Sequence, residues 1–76
     1  MHNFYDFIGE NVKLIRLAAG YTQEGLAREL DVSLSVISRL ETGRTMVSIE
    51  RMLEIAQILG VTPGDILNEP LPEPEE

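Results

Sequence analysis

The sequence has no cysteine, no tryptophan and a single histidine, and its apolar runs are all far too short to span a membrane. Without cysteine there is no disulfide staple and no thiolate metal site, so stability has to come from helix packing or from association with a second copy. His2 stands in a terminal segment expected to fray, where a solvated ring is the ordinary outcome and a ligand or base the unusual one. The glycines are isolated and make no phosphate cradle. These gaps exclude the common catalytic constellations, and the chain is expected to be no enzyme and to hold no metal or cofactor. The opening MHNFYDF has neither a basic leader nor a cleavage site, which together with the missing span points to a cytoplasmic protein without a membrane partner. Its 76 residues, 43% of them apolar, supply one small core and no separate sensor domain, so no small-molecule effector is expected.

Basic residues are also scarce, 6 against 13 acids for a formal net charge of −7. That balance argues against a nucleic-acid partner, because neutralisation of phosphates by lysine and arginine supplies much of such affinity. The distribution softens the objection. Glu69, Glu73, Glu75 and Glu76 sit in the terminal EPLPEPEE, leaving nine acids against six bases in residues 1–68, and Arg28, Arg39 and Arg44 fall in or just after one short segment. EPLPEPEE can bury nothing useful and reads as an acidic, proline-rich disordered tail over 69–76 behind a single domain over 1–68.

What the chain does have is helical periodicity. Residues 22–42, TQEGLARELDVSLSVISRLET, read as two short helices joined by a tight turn. Thr22 caps the first, with Leu26, Ala27 and Leu30 on one stripe; Ser33 caps the second, with Val36, Ile37 and Leu40 inward. So short a connection forces a steep crossing, which makes a helix-turn-helix. The sharp break calls for one residue at positive φ, and Asp31 holds the place where glycine would be free of penalty; aspartate is among the next most tolerant residues.

Ahead of this unit, Asn3 is a candidate cap for a helix whose inward stripe is Phe4, Ile8, Val12, Ile15 and Ala19, ending at Gly20. Phe7, Leu14 and Ala18 form a second strip, with Leu17 nearly opposite the core, so this helix has more apolar surface than a small core needs. Behind the unit, Ser48 opens a fourth helix with Ile49, Met52, Leu53, Ala56 and Leu59 inward, closed by Gly60. Val61 and Ile66 are placed for a hydrophobic staple, Thr62 for the cap, Pro63 for the first helical position and Asp65 for a carboxylate capping box, giving a fifth helix to about Asn68. The expected fold is all-α, a compact five-helix bundle containing the helix-turn-helix.

On the second helix of the unit Leu34, Ser35, Ser38 and Arg39 point away from the core, with Ser33 at its start. A major groove would meet these first. Arginine suits guanine, serine serves several bases, and an exposed leucine at a helix start suits a thymine methyl or a partner surface. From spacing alone an ordinary solvated face stays open. Gln23 begins the first helix of the unit, where free backbone N–H groups attract an anion, so it reads either as a phosphate contact or as a plain surface glutamine.

Residues 8 to 67 resemble the Xre and Cro-like family of helix-turn-helix regulators, which includes the lambdoid phage repressors. The resemblance is carried by Ile8-Gly9, Arg16, Gly20, Thr22-Gln23-Glu24, Leu26-Ala27, Val32-Ser33, Ile37-Ser38, Glu41, Gly43, Ser48, Ile55-Ala56 and Leu59-Gly60-Val61. It implies a lambda repressor-like five-helix domain that binds double-stranded DNA as a dimer on a two-fold symmetric operator. In that pattern Gln23 matches a phosphate-contacting glutamine, Leu34, Ser35 and Arg39 match base-reading positions, Gly43-Arg44 matches a loop near the DNA backbone, and Arg16 and Glu41 match an ion pair. Two departures stand out. Asp31 replaces a turn glycine, and Met46, Val47 and Ile49 fall where several relatives place basic residues, so phosphate affinity should be weak for the family.

The expected function is therefore a sequence-specific transcriptional regulator, a repressor or a controller protein. The alternative is a protein-interaction module of the same fold, an antitoxin or anti-repressor with weak or no DNA binding. Self-association is expected through the fifth helix and the spare surface of the first, with Leu17, Ile58, Ile66 and Leu67 at the contact.

Overall fold

The computed structural model describes the backbone of residues 4–68 and the side chains of residues 7–68. The expectations for His2, Asn3, the Phe4 side chain and the tail over 69–76 lie outside the described residues. The chain forms five helices, α1 (Phe4–Ala18), α2 (Gln23–Leu30), α3 (Leu34–Glu41), α4 (Ile49–Leu59) and α5 (Pro63–Leu67), with no strand among the described residues. None of these helices is long and apolar enough to cross a membrane. Each contributes to one core: Ile8 and Val12 from α1, Leu26, Ala27 and Leu30 from α2, Ile37 and Leu40 from α3, Met52, Ile55, Ala56 and Leu59 from α4, and Ile66 from α5. α3 packs against α1 on one side and α2 on the other, while α4 and α5 close the bundle.

The first four helices all end in the same way. The chain turns through one left-handed residue, whose N–H bonds back three residues while the next N–H bonds back five. After α2 that residue is Asp31, at φ 59° and ψ 46°. Its N–H donates to the Arg28 carbonyl at 3.1 Å and that of Val32 to Ala27 at 3.0 Å. After α1, α3 and α4 the corresponding residues are Gly20, Gly43 and Gly60. Asp31 is the only non-glycine residue at positive φ among the described residues. Because α1 stops at Ala18 to make its turn, Ala19 is exposed and not part of the inward stripe.

Five residues cannot sustain a helix alone, and α5 is held from three directions. Thr62 and Asp65 form a reciprocal capping box, and Pro63 takes the first turn. Ile66 is 0% exposed in the core. From α1, the Asn11 side-chain amide donates to the carbonyls of Ile66 at 2.8 Å and Asn68 at 2.9 Å, satisfying the end of the helix.

α4 corrects the sequence reading. Ile49 and Leu53, expected inward, are 73% and 49% exposed, and Ile55 takes the central core place. The buried face is the arc through Met52, Ile55, Ala56 and Leu59, so the true stripe is rotated away from Ile49 and Leu53, which border it.

Gly9 lies where α1 crosses the end of α3. A Cβ there would stand 2.2 Å from the Leu40 carbonyl oxygen and 2.9 Å from that of Glu41. Both are backbone atoms that cannot swing aside. Gly9→Ala is therefore expected to cost about 1–3 kcal/mol, the usual range for forced overpacking, measured by chemical denaturation. Asp31→Gly should instead raise the melting temperature slightly, by relieving about 1 kcal/mol of left-handed strain; a lower melting temperature would contradict the cost assigned to that turn.

Candidate nucleic-acid interface

The outward face of α3 is short, polar and free of acid. Leu34, Ser35, Ser38 and Arg39 are exposed, as is Ser33 ahead of them. Ser33 has the extended backbone of an N-cap, φ −77° and ψ 158°, yet its side chain makes no capping hydrogen bond. The one carboxylate on α3, Glu41, is buried and paired. At the end of the helix the left-handed turn through Gly43 ties two arginines together, with the Arg44 N–H donating to the Arg39 carbonyl at 2.9 Å. The Thr42 hydroxyl donates to the carbonyls of Ser38 at 2.9 Å and Arg39 at 3.2 Å, bracing the same turn. Arg39 and Arg44 are both exposed. Among the described residues neither they nor Arg28 have a side-chain partner, whereas Arg16 and Arg51 are each paired with a glutamate.

Beneath this face lies a charged cluster. Arg16 Nε donates to Glu41 Oε2 at 2.6 Å and Arg16 Nη2 to Oε1 at 3.1 Å, a two-pronged pair whose side chains are only 6% and 2% exposed. The remaining prong, Nη1, donates to the Tyr21 carbonyl at 2.8 Å, just ahead of the Thr22 cap. Gln23, half-buried, donates from Nε2 to Glu41 Oε1 at 2.9 Å. Its side chain is thus part of the cluster as well as standing at the head of α2. Thr22 accepts from the Gly25 N–H at 2.9 Å, and a Cβ on residue 25 would stand 3.2 Å from that capping oxygen, so glycine leaves room beside the cap. Periodicity carries no signal for the Gln23 link, which depends on where α3 ends in space, whereas the Thr42 brace is a local contact within the last turn of α3.

The surface expected to self-associate is changed. Leu17 and Leu67 are exposed, Ile58 is half-buried against the core, and Ile66 is fully enclosed. Ile66 therefore offers no side-chain surface to a partner, since it is the residue that anchors the short α5. Ile49 and Leu53, which the period of α4 places inward, are instead large exposed apolar groups, and Met46 in the preceding loop is 74% exposed.

Residues 12–66 match the family model described as helix-turn-helix. The chain is 37% identical over 68 residues to the control protein C.BamHI of Bacillus amyloliquefaciens, covering 88% of this chain and 84% of that protein. Its fold is similar to the crystal structure of the clp gene regulator ClgR of C. glutamicum, with a TM-score of 0.83 and 30% identity over 87% of this chain and 85% of that one. It is also similar to the restriction-modification controller protein C.AhdI of Aeromonas hydrophila, with a TM-score of 0.77 and 27% identity over 82% of this chain and 94% of that one.

Removing one member of the Arg16–Glu41 pair strands a buried charge, so Arg16→Ala is expected to cost about 3–5 kcal/mol. Replacing both with a matched apolar pair should be near neutral. A double-mutant cycle in urea measures the difference, and absence of coupling would contradict the pairing.

Proposed function

The chain belongs to the Xre and Cro-like helix-turn-helix family, and from that premise we propose that it is a sequence-specific DNA-binding transcriptional regulator of the controller or repressor type. It would bind a two-fold symmetric operator as a homodimer and present α3 to the major groove. The observation that carries this reading is the pair Arg39 and Arg44, both exposed, both without a protein partner among the described residues, and joined through their backbones at the end of an acid-free helix face. In this arrangement Arg39 reads a guanine, Ser33, Ser35 and Ser38 adapt to neighbouring bases, and Leu34 meets a thymine methyl. Arg44 and the amide of Gln23 contact phosphates from either end of the unit. C.BamHI and C.AhdI, named as control and controller proteins, favour the controller reading.

Dimerisation is supported by the apolar surface that the fold leaves uncovered, Leu17 and Leu67 together with Ile49 and Leu53. Two copies would set their recognition helices about 34 Å apart, one turn of duplex. Exposed leucines would equally serve a protein-interaction module, and the arginines distinguish the two readings.

Arg39→Ala should lower affinity for the selected operator by about 1–3 kcal/mol and for unrelated DNA much less, because a bidentate contact exists only with the right base. Arg44→Ala should weaken all sequences alike and reduce the salt slope by about one unit per lost contact. If both leave DNA binding intact while abolishing capture of a protein partner, the interaction-module reading replaces this one. Removal of residues 70–76, which takes away Glu73, Glu75 and Glu76, should speed association at low salt without altering base preference. Sedimentation that shows only monomer at high concentration would count against the dimer.

A further inference from the structure

We propose that Glu41, buried on the inward side of α3, is a positioning residue for DNA binding, because it holds the amide of Gln23 in one orientation before DNA arrives. The inference rests on the reading of Gln23 as a phosphate contact. An ionised carboxylate only accepts hydrogen bonds, so it is the amide nitrogen of Gln23, and not its oxygen, that must turn toward Glu41. The nitrogen does so at 2.9 Å. That nitrogen carries two hydrogens; one is donated to Glu41 and the second remains for another acceptor. A single amide nitrogen can thus bridge two anions, the carboxylate of Glu41 on the protein side and a phosphate oxygen on the other.

Glu41 is a fixed anchor for this purpose. Both of its oxygens are gripped by Arg16, which also holds the Tyr21 carbonyl ahead of α2. The orientation of the Gln23 amide is therefore set by a cluster that spans α1, the start of α2 and the end of α3. A free glutamine loses rotamer freedom when it is fixed on a phosphate, whereas one already held has lost it on folding. At the same head of α2 the N–H groups of Gln23 and Glu24 have no hydrogen-bond partner among the described residues, while those of Gly25 and Leu26 are taken by Thr22.

The test is a cycle read in DNA affinity, with a random-sequence duplex long enough for two half-sites as the probe. Gln23→Ala in the otherwise natural protein is expected to weaken binding about ten- to a hundredfold, the range for one hydrogen bond to a charged group. In the Arg16→Met/Glu41→Leu background, where the anchor is gone but the packing is kept, the same change should cost less than about twofold. Equal losses in the natural and apolar backgrounds would overturn the positioning role and leave the phosphate contact standing. No loss from Gln23→Ala in the natural protein would overturn the contact itself, and the proposal with it. If the apolar double variant does not fold, side-chain NMR relaxation on the free natural protein still decides: the Gln23 amide should be nearly as ordered as rigid backbone, with an order parameter of about 0.85, and a value below about 0.6 would overturn the positioning role.

Discussion

Burying a guanidinium and a carboxylate is costly, because each gives up its water before the attraction between them returns anything. The domain tolerates Arg16 and Glu41 in its interior because their donors and acceptors are met. Three nitrogens of the arginine find carbonyl or carboxylate oxygens, and both oxygens of the glutamate are used. No buried side-chain nitrogen or oxygen among the described residues lacks a partner. Full satisfaction needs α1, the connection before α2, and the end of α3 to stand in one arrangement. The end of α3 is placed by a requirement of solvation.

The fold was legible because its signals are local. Thr22, Ser48 and the Thr62–Asp65 box mark helix starts, and the residues at Gly20, Asp31, Gly43 and Gly60 mark the ends, all within a few residues of the event they control. What could not be read depends on distances across the fold. Asn11 caps a helix more than fifty positions away, and nothing in its neighbourhood announces this. Ile49 and Leu53 satisfy the helical period as well as the true core residues do; only the direction from which α5 and α2 approach α4 decides which arc is covered. Ile66 was mistaken for a surface residue, because the period of so short a helix does not show that its one large apolar side chain is spent on the core. For the interface, the exposed positions of α3 followed from its inward stripe, whereas the attachment of Gln23 to Glu41 did not.

Charge is arranged by position more than by amount. On α3 the single acid is internal and neutralised by its partner, and two cations without a side-chain partner among the described residues, Arg39 and Arg44, lie at the helix end. Exposed acids lie on either side, Glu24 and Glu29 on α2 and Glu50 and Glu54 on α4. A field of this kind is attractive at short range in one direction and repulsive elsewhere, which favours engagement in a single orientation over non-specific adhesion to any polyanion. An acidic protein with a small positive tip is suited to discrimination between sites more than to tight holding of DNA in general.

Gly9 and Arg16 meet α3 from the same helix, seven residues or about 10 Å apart along its axis, and both bear on Leu40 and Glu41. The first contact sets how close α1 can come, and the second resists rotation of α3 about its own axis. α1 grips α3 at its C-terminal end, while α2 packs along its other side. Leu34 and Ser35 stand about 9–10 Å along the axis from Glu41 and Arg39 only about 3 Å from it, so any tilt about the Glu41 anchor displaces the start of α3 most and Arg39 least.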